Sequence, residues 1–196
     1  MILQVEHQKV YTPDEYLDLE VNSDLRHEYI DGEIVNMTGG TPNHNQIAGN
    51  LYAALNFALK RQPYRVFVTD QRLWIPRKTI YTYPDIMVVS GDLQFQEGRQ
   101  DTILNPVFIA EVLSPSTRSY DKTDKFSAYR TISTFQEYLL IEQSQIHVEH
   151  YVKNDRKRWT FSEYDEAEEV IALNSIDFQI FLTDLYDKVE FDSEVD

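Results

Sequence analysis

The chain has 196 residues, 42 % of them hydrophobic and 13 % aromatic, which suffices for one domain with a substantial core and excludes a disordered chain. Its 33 Asp and Glu against 18 Lys and Arg give a formal net charge of −15; this excludes a protein that coats nucleic acid over its whole surface, because affinity for the phosphate backbone comes from Lys and Arg. The absence of cysteine removes disulfides, thiolate-bound zinc and thiol nucleophiles together.

Met1 to Val10 contains Glu6, His7, Gln8 and Lys9 and lacks the apolar core of a signal peptide. The longest apolar stretches are strand-sized, so no membrane-spanning helix is expected and a cytoplasmic location follows. Thr12-Pro13-Asp14-Glu15 is a helix start, with Thr12 as N-cap, Pro13 in the first turn and Glu15 closing a capping box. The helix passes Leu19 and leads to Arg26-His27-Glu28-Tyr29-Ile30. Asp31-Gly32 is then a hairpin turn signal, with Glu33 to Met37 returning. Gly39-Gly40-Thr41-Pro42-Asn43 reads as a loop. Ile47, Leu51, Leu55 and Leu59 form a helical stripe that ends near Arg61.

Tyr64 to Thr69 and Arg72 to Pro76 are strand-like. Two apolar runs follow, Tyr83 to Val89 and Val107 to Leu113, joined by the polar segment Gly91 to Asn105, which reads as an exposed loop. After Ser114-Pro115-Ser116-Thr117 a helix is expected from Asp121 to about Ile132. Glu137 to Glu142, Gln145 to Val152, Arg158 to Tyr164 and Val170 to Leu173 read as strands, and Leu182 to Lys188 as a last short helix. No repeat or linker divides the chain, so residues 1–196 read as a single domain with flexible ends at 1–10 and 192–196. The order of elements predicts an α/β core with antiparallel additions.

Each of the two apolar runs carries one acid, Asp85 and Glu111. An ionised carboxylate in such a run loses on the order of several kcal/mol of hydration unless something compensates it. The runs supply no Lys or Arg. Strand-borne acids on neighbouring strands about 4.8 Å apart are close enough to share one small divalent cation. A donor set of oxygens alone favours Mg²⁺, with Mn²⁺ as substitute, over zinc. The structural alternative is that Asp85 caps a turn after Pro84 and Glu111 pairs with an Arg from elsewhere. His147 and His150 point to opposite faces of a strand and make a poor chelate. Arg156-Lys157-Arg158 reads as a solvated hairpin tip and is the best local exception to the acidic surface.

An ordered series of motifs sharpens this reading: Arg26-His27-Glu28-Tyr29-Ile30-Asp31-Gly32-Glu33, Thr41-Pro42-Asn43-His44, Tyr83-Pro84-Asp85-Ile86 and Glu111-Val112-Leu113-Ser114-Pro115-Ser116-Thr117. It resembles the Uma-type endonuclease family of the PD-(D/E)XK restriction-endonuclease-like superfamily, from about Tyr11 to Phe191. The resemblance implies a central mixed sheet flanked by helices and Mg²⁺-dependent hydrolysis of a nucleic-acid phosphodiester, DNA above all, by a homodimer. It makes Asp85 and Glu111 metal ligands, with the main-chain carbonyl of Val112 as a third. The chain departs from the superfamily where Leu113 stands at the signature lysine.

Lys125 is the expected substitute, one turn before Tyr129 on the same helix face; the alternative is a surface cation paired to Asp121, and Lys122 is the rival lysine. Glu28 and His44 are further candidates, the first to complete the site, the second to touch substrate phosphate from a helix start. With so acidic a chain, nucleic acid is expected to bind weakly and within a local cleft. Two other functions compete: a non-catalytic binding or oligomerisation module on the nuclease fold, and hydrolysis of a smaller anionic substrate.

Overall fold

In a computed structural model of the protein, residues 9–37 and 39–191 are described. The expected flexible ends therefore lie outside the described residues, apart from Lys9 and Val10. Helix α1, Pro13–Val21, begins at the capping box: the Thr12 hydroxyl accepts from Glu15 N and the Glu15 carboxylate accepts from Thr12 N. Strands β1 (His27–Ile30) and β2 (Glu33–Asn36) form a hairpin whose turn residues Asp31 and Gly32 have φ of 45° and 104°. Positive φ at both positions matches the twist of the strands, and Gly32 adopts it without strain. Tyr16, Tyr29, Tyr81 and Trp74 stack where α1 meets this sheet.

Thr41 caps α2, Pro42–Ala58, which buries Ile47, Leu51 and Leu55. Strands β3 (Tyr64–Val68), β4 (Arg72–Ile75), β5 (Ile80–Thr82), β6 (Ile86–Ser90), β7 (Thr102–Ile103) and β8 (Phe108–Leu113) follow. A helical segment of three parts comes next: α3 (Arg118–Tyr120), a π turn (Asp121–Lys125) and α4 (Phe126–Tyr129). Strands β9 (Glu137–Glu142), β10 (Val148–Lys153), β11 (Trp159–Tyr164), β12 (Val170–Ala172) and β13 (Gln179–Phe181) and helix α5 (Leu182–Leu185) complete the described chain.

The strands make a six-stranded sheet in the order β11-β10-β9-β8-β6-β3, a five-stranded sheet in the order β2-β1-β5-β4-β7, and the small β12-β13 hairpin. In the six-stranded sheet β8 and β9 are parallel and their neighbours antiparallel, so the α3–α4 segment is the crossover between two parallel strands. Along β8 the side chains alternate. Phe108, Ala110 and Val112 pack with α2 and α5 on one face, while Ile109 and Leu113 pack with Tyr129, Ile132 and Leu73 on the other. Every residue of β8 is buried, which is why its sequence is an unbroken apolar run apart from Glu111. Glu111 belongs by alternation to the face that the crossover helix covers.

Four local expectations need correction. The apolar run from Tyr83 is a strand only from Ile86: Tyr83, Pro84 and Asp85 link β5, which ends at Thr82 in the five-stranded sheet, to β6 in the six-stranded one. The segment 91–105 is not simply an exposed loop, because Thr102 and Ile103 pair in parallel with Arg72 and Leu73 and are fully buried. Pro42 and Asn43 belong to the first turn of α2 rather than to the preceding loop. The crossover helix begins at Arg118 and ends at Tyr129, three residues earlier at each end than its apolar period suggests.

Candidate active site

The change of sheet between β5 and β6 sets the geometry. Cα partners run Met87↔Ile109 and Ile86↔Ala110, so the next rung brings Asp85 beside Glu111 at the point where β6 has not yet begun. The two acids are tied through backbone amides: Asp85 N donates to Glu111 Oε2 at 3.3 Å, and Val112 N donates to Asp85 Oδ2 at 2.8 Å. The N–H and C=O of one strand residue point to the same edge, so the Val112 carbonyl faces the gap that Asp85 occupies.

Above them lies the π turn. A π turn inserts one extra residue into the helix and is frequent at functional sites. Here it places Asp121 and Lys125 over Glu111. The Lys125 amine lies 3.1 Å from Glu111 Oε1, 3.3 Å from Asp121 Oδ1 and 3.5 Å from Glu28 Oε1, with its side chain only 8 % exposed. Tyr129, one turn on, donates its hydroxyl to Glu111 Oε1 at 2.7 Å. Glu28 is oriented by the Thr82 hydroxyl. His44, in the first turn of α2, sets Nε2 3.1 Å from Asp85 Oδ2. Glu28, His44, Asp85, Glu111, Asp121 and Lys125 line a cavity of about 320 Å³, closed on one side by Gly39, Gly40 and Thr41 and on another by the Ser114–Thr117 loop.

Burial pushes the Glu111 carboxyl up to about 8; Lys125 works against the shift, and the charges of Asp85 and Asp121 reinforce it. Burial works to lower the Lys125 pKa, but Glu111, Glu28, Tyr129 and Asp121 together hold it well above the ordinary lysine value. His44 is likewise disfavoured as a cation by burial, yet its hydrogen bond and proximity to Asp85 raise its pKa overall. Four acids, Glu28, Asp85, Glu111 and Asp121, thus share two bases. Even with both bases protonated the pocket keeps a negative balance. A donor set of carboxylates with a strand carbonyl and an uncompensated negative charge fits a hard divalent cation.

The structure brings Asp85, Glu111, Val112, Lys125, Tyr129, Glu28 and His44 to one place. Lys125 contacts Asp121 as the bland alternative holds, but it does so inside the protein and together with Glu111. Lys122 points away, its amine 2.6 Å from Glu149. His44 meets Asp85 rather than lying free at the helix start. Asp121 has no standing of its own in the sequence reading, because an acid one turn before a lysine is the commonest of surface pairs; its burial at 2 % gives it weight here. Gly40 also went unnoticed. A Cβ there would lie 2.7 Å from His44 Nδ1, so the glycine is what lets the loop close over the imidazole.

A second group, His147, Glu149 and Glu163, brings ligand atoms within 4.8 Å of one another on the β10–β11 ladder. Glu149 there is already engaged by Lys122 and by the Tyr151 hydroxyl at 2.8 Å. His150 points to the other face and holds Glu137 at 2.6 Å.

Comparison with known proteins agrees with this architecture. Protein sll1609 of Synechocystis sp. (strain ATCC 27184 / PCC 6803 / Kazusa) is 42 % identical over 155 residues, covering 79 % of this chain and 88 % of that protein. Protein slr1290 of the same strain is 32 % identical over 182 residues, covering 92 % and 93 %. The crystal structure of "a putative nuclease belonging to DUF820" from Anabaena variabilis ATCC 29413 matches with a TM-score of 0.74 at 21 % identity, over 90 % of this chain and 97 % of that one, and shows a shared fold. The family model Uma2, described as "Putative restriction endonuclease", matches residues 13–183, a stretch that contains every residue of the pocket. The chain belongs to the Uma2 family.

Proposed function

We propose that the protein is a Mg²⁺-dependent endonuclease that hydrolyses a phosphodiester bond of nucleic acid, DNA in the first instance. The observation that carries this reading is the meeting of Asp85, Glu111 and Lys125 in one cavity, from a strand switch, a strand and a π turn far apart in sequence. Asp85, Glu111 and the Val112 carbonyl would hold the cation, whose chemistry is to polarise a phosphoryl oxygen and acidify a water. Lys125 supplies the positive charge that Leu113 lacks and faces the developing charge on the phosphate. Tyr129 keeps its proton, because burial and Glu111 hold its pKa well above the ordinary range, and so fixes Glu111 in place as a hydrogen-bond donor. Glu28, 3.5 Å from the Lys125 amine and lining the cavity, would orient water there.

The competing reading, a non-catalytic module, draws on Leu113 and on the acidic surface. Lys125 weakens its first support, because an amine 3.1 Å from Glu111 Oε1 restores a cation to the site. The reading extends to action in the cytoplasm as a homodimer, for which light scattering gives the mass directly. Among the described residues no helix is long and apolar enough to cross a membrane.

The test is cleavage of supercoiled and linear DNA, and of RNA, in Mg²⁺ and in Mn²⁺ by the wild type and Asp85→Asn. Metal-dependent cleavage that falls by a factor of about 10² or more in the variant is expected. Absence of cleavage with every substrate, or equal cleavage by Asp85→Asn, contradicts the proposal.

A further inference from the structure

A groove of about 530 Å³ opens at the end of the six-stranded sheet remote from the carboxylates, where β9 begins and β10 ends. Four basic side chains from separate segments line it. Arg77 comes from the 3₁₀ turn Pro76–Lys78, Arg130 follows α4, Lys153 is the last residue of β10, and Arg156 lies in the β10–β11 turn. Among the described residues none of the four has a carboxylate within 4.0 Å; Lys60, Arg61, Arg65, Lys78 and Lys157 also have none but do not line this groove, whereas Arg26, Arg72, Arg99, Arg118, Lys122 and Lys125 are all paired. Asp155, the one acid of the groove, is 3.6 Å from Arg158 Nε and accepts from Lys157 N at 2.8 Å.

Two of the four are fixed without being neutralised. The Lys153 amine donates to the Phe135 carbonyl at 3.2 Å, and the Arg130 guanidinium lies 4.9 Å from the centre of the Phe126 ring. In a chain with a net charge of −15, a base has many acids to choose from. Four cations left unpaired around one groove repel one another, and a ligand with several negative charges relieves that repulsion. Solvation of a hairpin tip accounts for Arg156 alone; it does not account for Arg77 and Arg130 arriving at the same groove from other elements.

We infer that this groove binds the phosphodiester backbone of nucleic acid as an anchoring site separate from the hydrolytic pocket. The inference rests on the reading of that pocket as acting on phosphodiesters. Glu111 is paired with Leu140 in β9, four residues beyond Gln136 at the groove, a separation of about 13 Å along the strand. The α4 segment joins the two places, with Lys125 before it at the pocket and Arg130 after it at the groove. A strand engaged at both spans at least about four nucleotides at 3.4 Å each. The groove thus answers the acidic balance of the chain: four bases converge on one corner of a molecule whose net charge is −15.

The experiment measures binding of a labelled 20-base-pair DNA duplex by fluorescence anisotropy over a range of salt concentrations, for the wild type, Arg77→Ala/Arg156→Ala and Arg130→Glu. Circular dichroism melts run alongside, because Arg130 also stacks on Phe126. The double variant is expected to bind at least tenfold more weakly, with the slope of log K against log salt shallower by about 2. Wild-type affinity and slope in both variants, with melting unchanged, overturn the groove. A changed molecular mass by light scattering without a change in duplex binding also overturns it, and assigns the corner to an acidic protein segment. Hydrolysis of bis(p-nitrophenyl) phosphate by the wild type in Mn²⁺, a substrate too short to reach the groove, separates the two readings. If duplex binding falls in the variants while this diester is untouched, the groove stands and the hydrolytic reading fails; hydrolysis with no effect of the variants on binding gives the reverse.

Discussion

Lys125 carries the greatest weight of any single residue. Its amine is buried among Glu111, Asp121 and Glu28, so its removal leaves acids without a counter-charge. Lys125→Met is therefore expected to slow DNA cleavage by about 10² or more. It is also expected to destabilise the fold by about 3 kcal/mol, the scale of a buried pair broken on one side. Added Mg²⁺ should recover part of that loss, since a cation in the pocket replaces the missing charge; denaturant melts with and without metal check it. Leu113→Lys is not expected to rescue the variant. Leu113 is 1 % exposed and belongs to the same buried apolar cluster as Tyr129 and Leu140, so a lysine there buries its ammonium among apolar side chains. At the entrance, His44→Ala is expected to slow DNA cleavage and Gly40→Ala to do the same, because the added methyl displaces the imidazole from Asp85; equal cleavage by Gly40→Ala and the wild type contradicts this role.

Asp85 and Glu111 were legible at this scale because an acid inside an apolar strand has to be explained. Lys125 was legible only through the family resemblance, since Asp121-Lys122-Thr123-Asp124-Lys125 has the composition of any solvated helix. What hides it is the π turn, whose extra residue leaves no mark in the hydrophobic period. His44 and Gly40 depend on a loop closing over α2, a contact between segments that local sequence does not encode.

Among the elements, the strand switch between β5 and β6 decides the site. Pro84 has no N–H to offer a ladder, and the chain leaves one sheet at Thr82 and joins the other at Ile86. An apolar run looks the same whether it is strand throughout or opens with a link between two sheets, which is why the break was not legible. Thr102 and Ile103 were missed for a related reason: two buried residues inside a polar segment are too few to show a period. At the other end of the sheet Glu137, fully buried at the start of β9, accepts from His150, from Asn174 N and Ser175 N, and from the Ser175 hydroxyl. It pins the segment before β13 to the sheet. Burial works to raise its pKa, but the bonds from His150, Ser175 and Asn174 together lower it. The sign follows: a depressed pKa gives stability that is present above the unfolded carboxylate value of 4.5 and is lost as pH falls through the lower folded value. Glu137→Gln is expected to lower the unfolding free energy at pH 7 by about 2 kcal/mol. The gap between variant and wild type should narrow below pH 4.5; a gap that stays constant down to pH 3 contradicts the assignment.

For the whole molecule, charge and fold have to be reconciled. An acidic chain with a nuclease-like fold needs a local source of positive charge, and the structure offers two places for it: Lys125 with a cation in the carboxylate pocket, and the basic groove at the far end of β9. The order of elements sufficed to predict the α/β core, because hydrophobic periods and turn signals are local; the mixed sheet was legible only through the family resemblance. The grouping of Arg77, Arg130, Lys153 and Arg156 was not legible, because only Arg156 lies in a basic run of sequence and the others meet it through the fold. The central claim is that Asp85 and Glu111 hold one divalent cation between them, and thermal melting with Mn²⁺ tests it most directly. A ligand that binds only the folded state at a hundred times its Kd stabilises by about 2.7 kcal/mol, or roughly 5 to 10 °C in Tm for a chain of this size. The account predicts such a rise for the wild type and its loss in both Asp85→Asn and Glu111→Gln; no rise at millimolar Mn²⁺, or a rise that both variants retain, would contradict it.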